Sequence, residues 1–385
     1  MNLALSDEQV FLREAARGAL SRFKTLEAAR EALDGNESAL PDMWPAACEA
    51  GWPGLLIDES HGGAGLDAFD AMLVLGECGR VLAPVALLGH LPATAILGAD
   101  SAAGDLLEPL ASGERRACYL PARPTDPTVD HAGDDWTTDP RGGMRRDVPS
   151  VITGLERGEP CVTGELAFVP DAPGADVYVG VALHHGTQAY GVAIEASAPG
   201  VSVERVVRYD ATRSLGHVSL GDAPARVLDA PVEALAGAWH LAQALIAAES
   251  LGSVETALDV SVAYAKERHT FGRAIGSYQA VKHSLTEVLR QLENGRSLLY
   301  YAGWARHGSP GEFPLAASAA RSVAGRALDH AARTMISVHG GIGATWEHDA
   351  PLYFRRAQLS RRLLGGTGAA TDRVAGELIA QADAA

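Results

Sequence analysis

Four stretches of this chain carry residue types that could do chemistry. Three are glycine-rich: HGGAGL at 61–66, HGGIG at 339–343 and GGTG at 365–368. The fourth, ERHTFGRAIGSYQAVKH at 267–283, sets Arg268, Thr270 and Phe271 together and follows them with Gln279. Glycine runs let a ligand approach the backbone closely and can cradle phosphate. None of the three is followed by the Lys-Ser/Thr of a P-loop, and none sits in a β-α-β unit as a dinucleotide fingerprint requires. Each alone reads as a tight turn. The arginine stretch offers more. A guanidinium presents several donors in a fixed fork, and beside a hydroxyl at a helix junction it could clamp a pyrophosphate. A solvated interhelical loop has the same local pattern, and these residues by themselves do not choose between the two.

Other chemistries are poorly supplied. The 13 histidines show no HExxH and no paired metal-ligand spacing. There is no GxSxG elbow and no catalytic Cys-His motif, which argues against nucleophilic catalysis. Cys48, Cys78, Cys118 and Cys161 stand far apart, as reduced packing residues of a cytoplasmic protein do. A net charge of −16 disfavours nucleic acid and anionic membrane as partners. The N-terminal MNLALSDEQV places acids where a signal peptide needs basic residues before an apolar run. No stretch approaches the roughly 20 apolar residues of a membrane span; even 71–99 is broken by Glu77, Arg80 and His90.

The elements that must position these residues fall into three blocks. Residues 1–115 read as helical: Ser6 and Gln9 form a capping-box pattern, and further helices fit 41–50, 68–82 and about 85–98. Residues 116–232 read as an antiparallel β-domain, with Val-rich runs such as CVTGELAFVP, ADVYVGVAL and QAYGVAIEA between Pro, Gly and Asp. The polar stretch 121–150 reads as a surface loop. Residues 233–385 read as a bundle of four helices at 235–267, 277–306, 314–338 and 369–384. The fold class is thus α+β, in the order helical domain, β-domain, four-helix bundle.

With the blocks in that order, KERHTFGRAIGSYQAVKH and VHGGIGATWEHD make the chain resemble the acyl-CoA dehydrogenases. So does ALPDMWPAACEAGWPGLLIDESHGGAGLDAFDAMLVLGECGRVLAP near the start, and the likeness spans essentially the whole chain. The GGIGATWEHD form is similar to actinobacterial members of lipid and sterol breakdown that assemble as heteromers.

The resemblance implies FAD bound between subunits. Arg268, Thr270, Phe271 and Gln279 match positions that reach a neighbour's FAD pyrophosphate and adenine, and Gly340 and Gly341 match the turn beside the adenosine half. Ser337 stands where the family often has Gln. The half of the site supplied by the flavin's own subunit departs further. CYLPARPTDP at 118–127 lacks the family's Gly-Ser. Phe168-Val169-Pro170 replaces a Trp-Ile-Thr/Ser segment, and Pro170 has neither hydroxyl nor N–H to offer.

The family's chemistry removes an α-proton from an acyl-CoA thioester as hydride leaves for the flavin, and needs a carboxylate base. Gly365 occupies its usual place, before Gly366 and the cofactor-side Thr367; Ala242 occupies the alternative one. Glu249 lies two turns beyond Ala242 on the same helix face, and Glu347 and Asp349 are remoter substitutes. The expectation is a non-catalytic subunit that donates FAD-binding residues to a paralogous catalytic partner, in a two-plus-two heterotetramer. An active flavoenzyme with a relocated base and a flavin-free scaffold are the alternatives.

Overall fold

A computed structural model describes residues 4–124 and 150–383. Most of the 121–150 stretch, and the end of 118–127, lie outside these.

The chain starts with the capping box. Ser6 Oγ accepts from the Gln9 N–H at 3.2 Å while the Gln9 amide oxygen accepts from the Ser6 N–H at 3.1 Å, opening α1 (Asp7–Leu20). Helices α2 (Thr25–Leu33), α3 (Trp44–Glu49), α4 (Ala68–Arg80), α5 (Leu87–Leu97) and α6 (Gly104–Ala111) follow. The sequence reading omits α2 and α6, one in a charged stretch and the other carrying Pro109.

Eight strands form the central sheet: β1 (Ala117–Leu120), β2 (Ser150–Thr153), β3 (Cys161–Pro170), β4 (Val177–His184), β5 (Gln188–Glu195), β6 (Val201–Arg205), β7 (Leu215–Pro224) and β8 (Arg226–Leu228). Their order is β6-β7-β3-β2-β4-β5-β8, with β1 against β4. The sheet is antiparallel-rich rather than wholly antiparallel, because β1 and β2 both run parallel to β4. Parallel neighbours cannot be joined by a tight hairpin and need longer connections.

The C-terminal region is built on α7 (Val232–Glu267), whose 36 residues are buried almost continuously from Gly237 to Val254. It packs on α4 at van der Waals limits. A Cβ on Gly79 would sit 1.9 Å from the Glu249 carbonyl oxygen, and one on Gly252 would sit 1.8 Å from that of Gly76. Only glycine admits this approach. The hairpin β9 (His269–Thr270)/β10 (Arg273–Ala274) leads into α8 (Gln279–Gly308), then α9 (Phe313–His339), α10 (Ala350–Ser360) and α11 (Gly366–Asp383). The short α10 adds a fifth helix to the four expected. Among the described residues no helix is long and apolar enough to cross a membrane.

Candidate functional site

The Arg268 corner is built by a hairpin between two long helices. Arg268 ends α7, its N–H donating to the Tyr264 carbonyl at 2.8 Å, and its side chain is exposed. Phe271 and Gly272 follow with φ of 50° and 79°, both left-handed, so the chain reverses in two residues. Phe271 stands at the tip and is 94% exposed. A bulky side chain in left-handed backbone is strained, and an apolar ring left in water loses its burial energy. Behind it the Tyr278 hydroxyl donates to the Thr270 carbonyl at 3.2 Å, and the Arg273 guanidinium lies 4.0 Å from the Tyr278 ring centroid.

This hairpin closes one end of a groove between α8 and α9 with a cavity of about 640 Å³, a volume that suits a bound small molecule. Thr270 and Phe271 line it with Val281 and Ser284 of α8 and His330 and Ser337 of α9. Positions 330, 333, 334 and 337 of α9 all face it, at the spacing of one helix face. That polar stripe, His330, Arg333, Thr334 and Ser337, carried the signal; apart from Ser337 the sequence reading passed over it. Gly340 caps α9 at φ 65°, and a Cβ on Gly340 or Gly341 would meet nothing within 4 Å, so this turn is open to an approaching group. Gln279 is exposed at the start of α8. The structure therefore brings Thr270, Phe271 and Ser337 together on one cavity, with Arg268, Gln279 and the glycine pair adjoining them in the chain.

The GGTG loop is the opposite. Leu364, Gly365 and Gly366 have φ of 50°, 72° and 67°. The Leu364 carbonyl accepts from Gln243 Nε2 at 2.9 Å, and that of Leu363 from Arg321 at 3.3 Å. A Cβ on Gly365 would lie 3.3 Å from both the Ala369 Cβ and the buried Trp239 ring. Even a methyl at 365 would therefore need the indole to give by a few tenths of an ångström. Next to Trp239, burial drives the His240 pKa down to about 3, with Arg373 and Arg306 adding to the effect, which keeps that imidazole neutral. Thr367 is turned onto α9: a Cβ on Gly325 would come 2.2 Å from its methyl. Ala242 is fully buried.

Glu249 is the counter-ion of two buried arginines. Arg356 Nη1 donates to its Oε1 at 2.8 Å, and Arg213 pairs with Oε2. Arg356 also donates through Nε to Asp210 at 2.6 Å and through Nη2 to the Thr212 hydroxyl at 2.6 Å. This network ties α7 and α10 to the β6–β7 connection, and it commits both oxygens of Glu249. Asp349 pairs with Arg30, while Glu347 is exposed.

On the sheet side Phe168 has φ 53° at a bulge between Leu166 and Val169. Its ring is covered by the Arg208 guanidinium at 4.4 Å and meets His217 edge-on at 4.8 Å. Pro170 is buried, its carbonyl accepting from the Cys118 thiol at 3.4 Å. Asp171 is buried with its Oδ2 accepting from the Gly89 N–H at 2.8 Å; desolvation pushes its pKa up to about 6, against the opposing pull of Arg213. A further cavity of about 560 Å³, unforeseen from sequence, lies by Tyr209, Trp346, Phe354, Arg355 and Arg362.

The chain matches the family model for the acyl-CoA dehydrogenase N-terminal domain over residues 6–114 and that for the C-terminal domain over 234–379. It is 28% identical to acyl-CoA dehydrogenase IpdE2 of Mycolicibacterium smegmatis, across 94% of this chain and 96% of that protein. A solved Tcur3481-Tcur3483 steroid ACAD variant superposes with a TM-score of 0.83 at 28% identity, over 98% of this chain and 99% of the other. The ChsE4-ChsE5 complex from Mycobacterium tuberculosis, at 24% identity, shares the fold with a TM-score of 0.83 over 98% and 99% of the two chains.

Proposed function

The chain belongs to the acyl-CoA dehydrogenase family, and we propose that it works there as the non-catalytic subunit of a heteromer. Homologues in this family bind FAD, which when bound accepts the hydride released from the β-carbon of an acyl thioester. In this reading FAD is held mainly by a paralogous partner that supplies the carboxylate base. This chain contributes the groove between α8 and α9. Arg268 and Thr270 present a guanidinium and a hydroxyl to the pyrophosphate, Phe271 covers the ligand, Gln279 reaches its polar edge, and the Gly340-Gly341 turn admits the adenosine half.

One observation carries the proposal. The groove matched to the donated half is open, whereas the positions matched to a flavin ring and a base in this chain are packed against its own side chains. Trp239 lies against Gly365, Arg208 and His217 cover Phe168, and Pro170 offers no donor. General-base catalysis contributes about 10²–10⁴-fold, so a chain with no free carboxylate at either expected position should turn over little alone. The 28% identity to a chain of the Tcur3481-Tcur3483 steroid ACAD favours a bulky acyl-CoA as the partner's substrate; a two-plus-two assembly in the cytoplasm completes the reading.

Co-expression with a paralogous acyl-CoA dehydrogenase that carries the carboxylate base tests this. The complex should hold FAD that bleaches with acyl-CoA, and Arg268→Ala should release that FAD without dissolving the complex. Flavin unaffected by Arg268→Ala would sink the proposal.

A further inference from the structure

The tip of the β4–β5 hairpin shares no residue with the α8–α9 groove, the GGTG loop or the Glu249 network. His184 ends β4 and His185 opens the turn, with His185 and Gly186 both left-handed at φ 51° and 77°. The two imidazole rings are 3.8 Å apart, centroid to centroid. Across from them Glu156 sits in the turn 155–157, which is bounded by Gly154 and Gly158 at φ 77° and 72°. Glu156 Oε1 is 3.1 Å from His184 Nε2 and 3.9 Å from His185 Nε2. One nitrogen from each histidine and one carboxylate oxygen lie within 4.8 Å of one another.

We propose that His184, His185 and Glu156 form a binding site for a borderline divalent transition metal of the zinc class. The donors set the class: two imidazoles and one carboxylate suit zinc, nickel or copper, whereas magnesium and calcium want oxygen alone. The spacing fits. Metal–donor bonds of about 2.0–2.2 Å at near-tetrahedral angles place donors roughly 3.3–3.6 Å apart; the two carboxylate–imidazole distances, 3.1 and 3.9 Å, straddle that, and the two imidazole donors lie within 4.8 Å of each other. Closing the longer gap needs only a small swing of His185 and Glu156, whose side chains are 79% and 66% exposed. His184 is the fixed member. Its side chain is only 13% exposed, and Tyr190 meets its ring edge-on. Left-handed residues on both turns hold the backbones that carry the donors. Water completes the coordination shell. Bound metal would cross-link the β4–β5 turn to the 155–157 turn and stiffen that end of the sheet, independently of flavin or partner.

The test is titration of the purified full chain with zinc, followed by calorimetry, and with cobalt, followed by its visible absorption. The expected result is one tight equivalent, an intense tetrahedral cobalt spectrum and a raised unfolding temperature. His185→Ala and Glu156→Gln change exposed side chains and should fold normally. Each should weaken that equivalent by at least the roughly tenfold typical of damaged metal sites and abolish the thermal shift. Absence of a stoichiometric equivalent in the parent chain overturns the proposal. So does an equivalent that persists unchanged in both variants, which would place the metal on other surface histidines.

Discussion

The Arg268 corner and the GGTG loop are both glycine-marked turns at helix ends, and the structure treats them in opposite ways. At the corner, left-handed backbone thrusts Phe271 into solvent beside an open cavity. At the loop, left-handed backbone at Gly365 is packed under Trp239, and the flanking carbonyls are taken by Gln243 and Arg321. A strained, exposed aromatic beside an open cavity is what the proposed donated site requires, since a ligand or partner would cover it. A buried, satisfied turn is finished within the chain. The lesson is that a glycine cluster becomes informative only when its neighbours are known.

The comparison can be broken or sharpened by substitution. The largest effect on the fold is expected at Arg356, on the closed side. Arg356→Ala would leave Asp210 and Glu249 as buried charges short of a partner, costing about 3–5 kcal/mol, read as a lowered denaturation midpoint. An unchanged midpoint would show that the network does not hold the sheet to the helices.

Asp171 follows. An unfolded aspartate releases its proton near 3.8, whereas the folded carboxyl, desolvated, keeps it up to about 6. Its contribution therefore favours the folded state below pH 4 and is lost as pH rises through about 6. Two units correspond to about 3 kcal/mol. Asp171→Asn keeps an acceptor for the Gly89 N–H, so it should flatten stability between pH 4 and 6 and raise it at pH 7.

Gly365→Glu comes next. Left-handed backbone and the Trp239 contact should make it destabilising by about 1–3 kcal/mol, and it should confer no acyl-CoA-dependent bleaching on the chain alone. Bleaching in that variant would mean the closed side can still seat a flavin. The smallest effect on the fold belongs to the open side. Phe271→Ser should change the chain's own stability by less than about 0.5 kcal/mol, yet weaken assembly with the partner by tenfold or more, measured by sedimentation.

Much of the fold was legible because its signals are local. Strand β3 coincides with CVTGELAFVP, and α7, α8 and α9 follow apolar periodicity between recognisable stops. Helix α10 escaped because FRRAQLSRR looks like a solvated charge run. Arg356 is in fact buried, and the acids that permit it come from distant β6–β7 and α7 positions. The parallel placement of β1 beside β4 was equally hidden, since register is set by tertiary packing rather than by either strand. At the proposed site, Gly365 and the Arg268 group each stand in a local motif that could be picked out directly. That Trp239 packs against Gly365, that both oxygens of Glu249 are held by arginines, and that His184 and His185 meet Glu156 could not, because each joins residues remote in sequence.

The most direct measurement is flavin stoichiometry, by absorbance and mass, for this chain alone, for its partner alone and for the two together. This chain alone is expected to hold no FAD, and each pair of unlike chains one FAD. FAD bound to this chain by itself and bleached by acyl-CoA would overturn the subunit assignment.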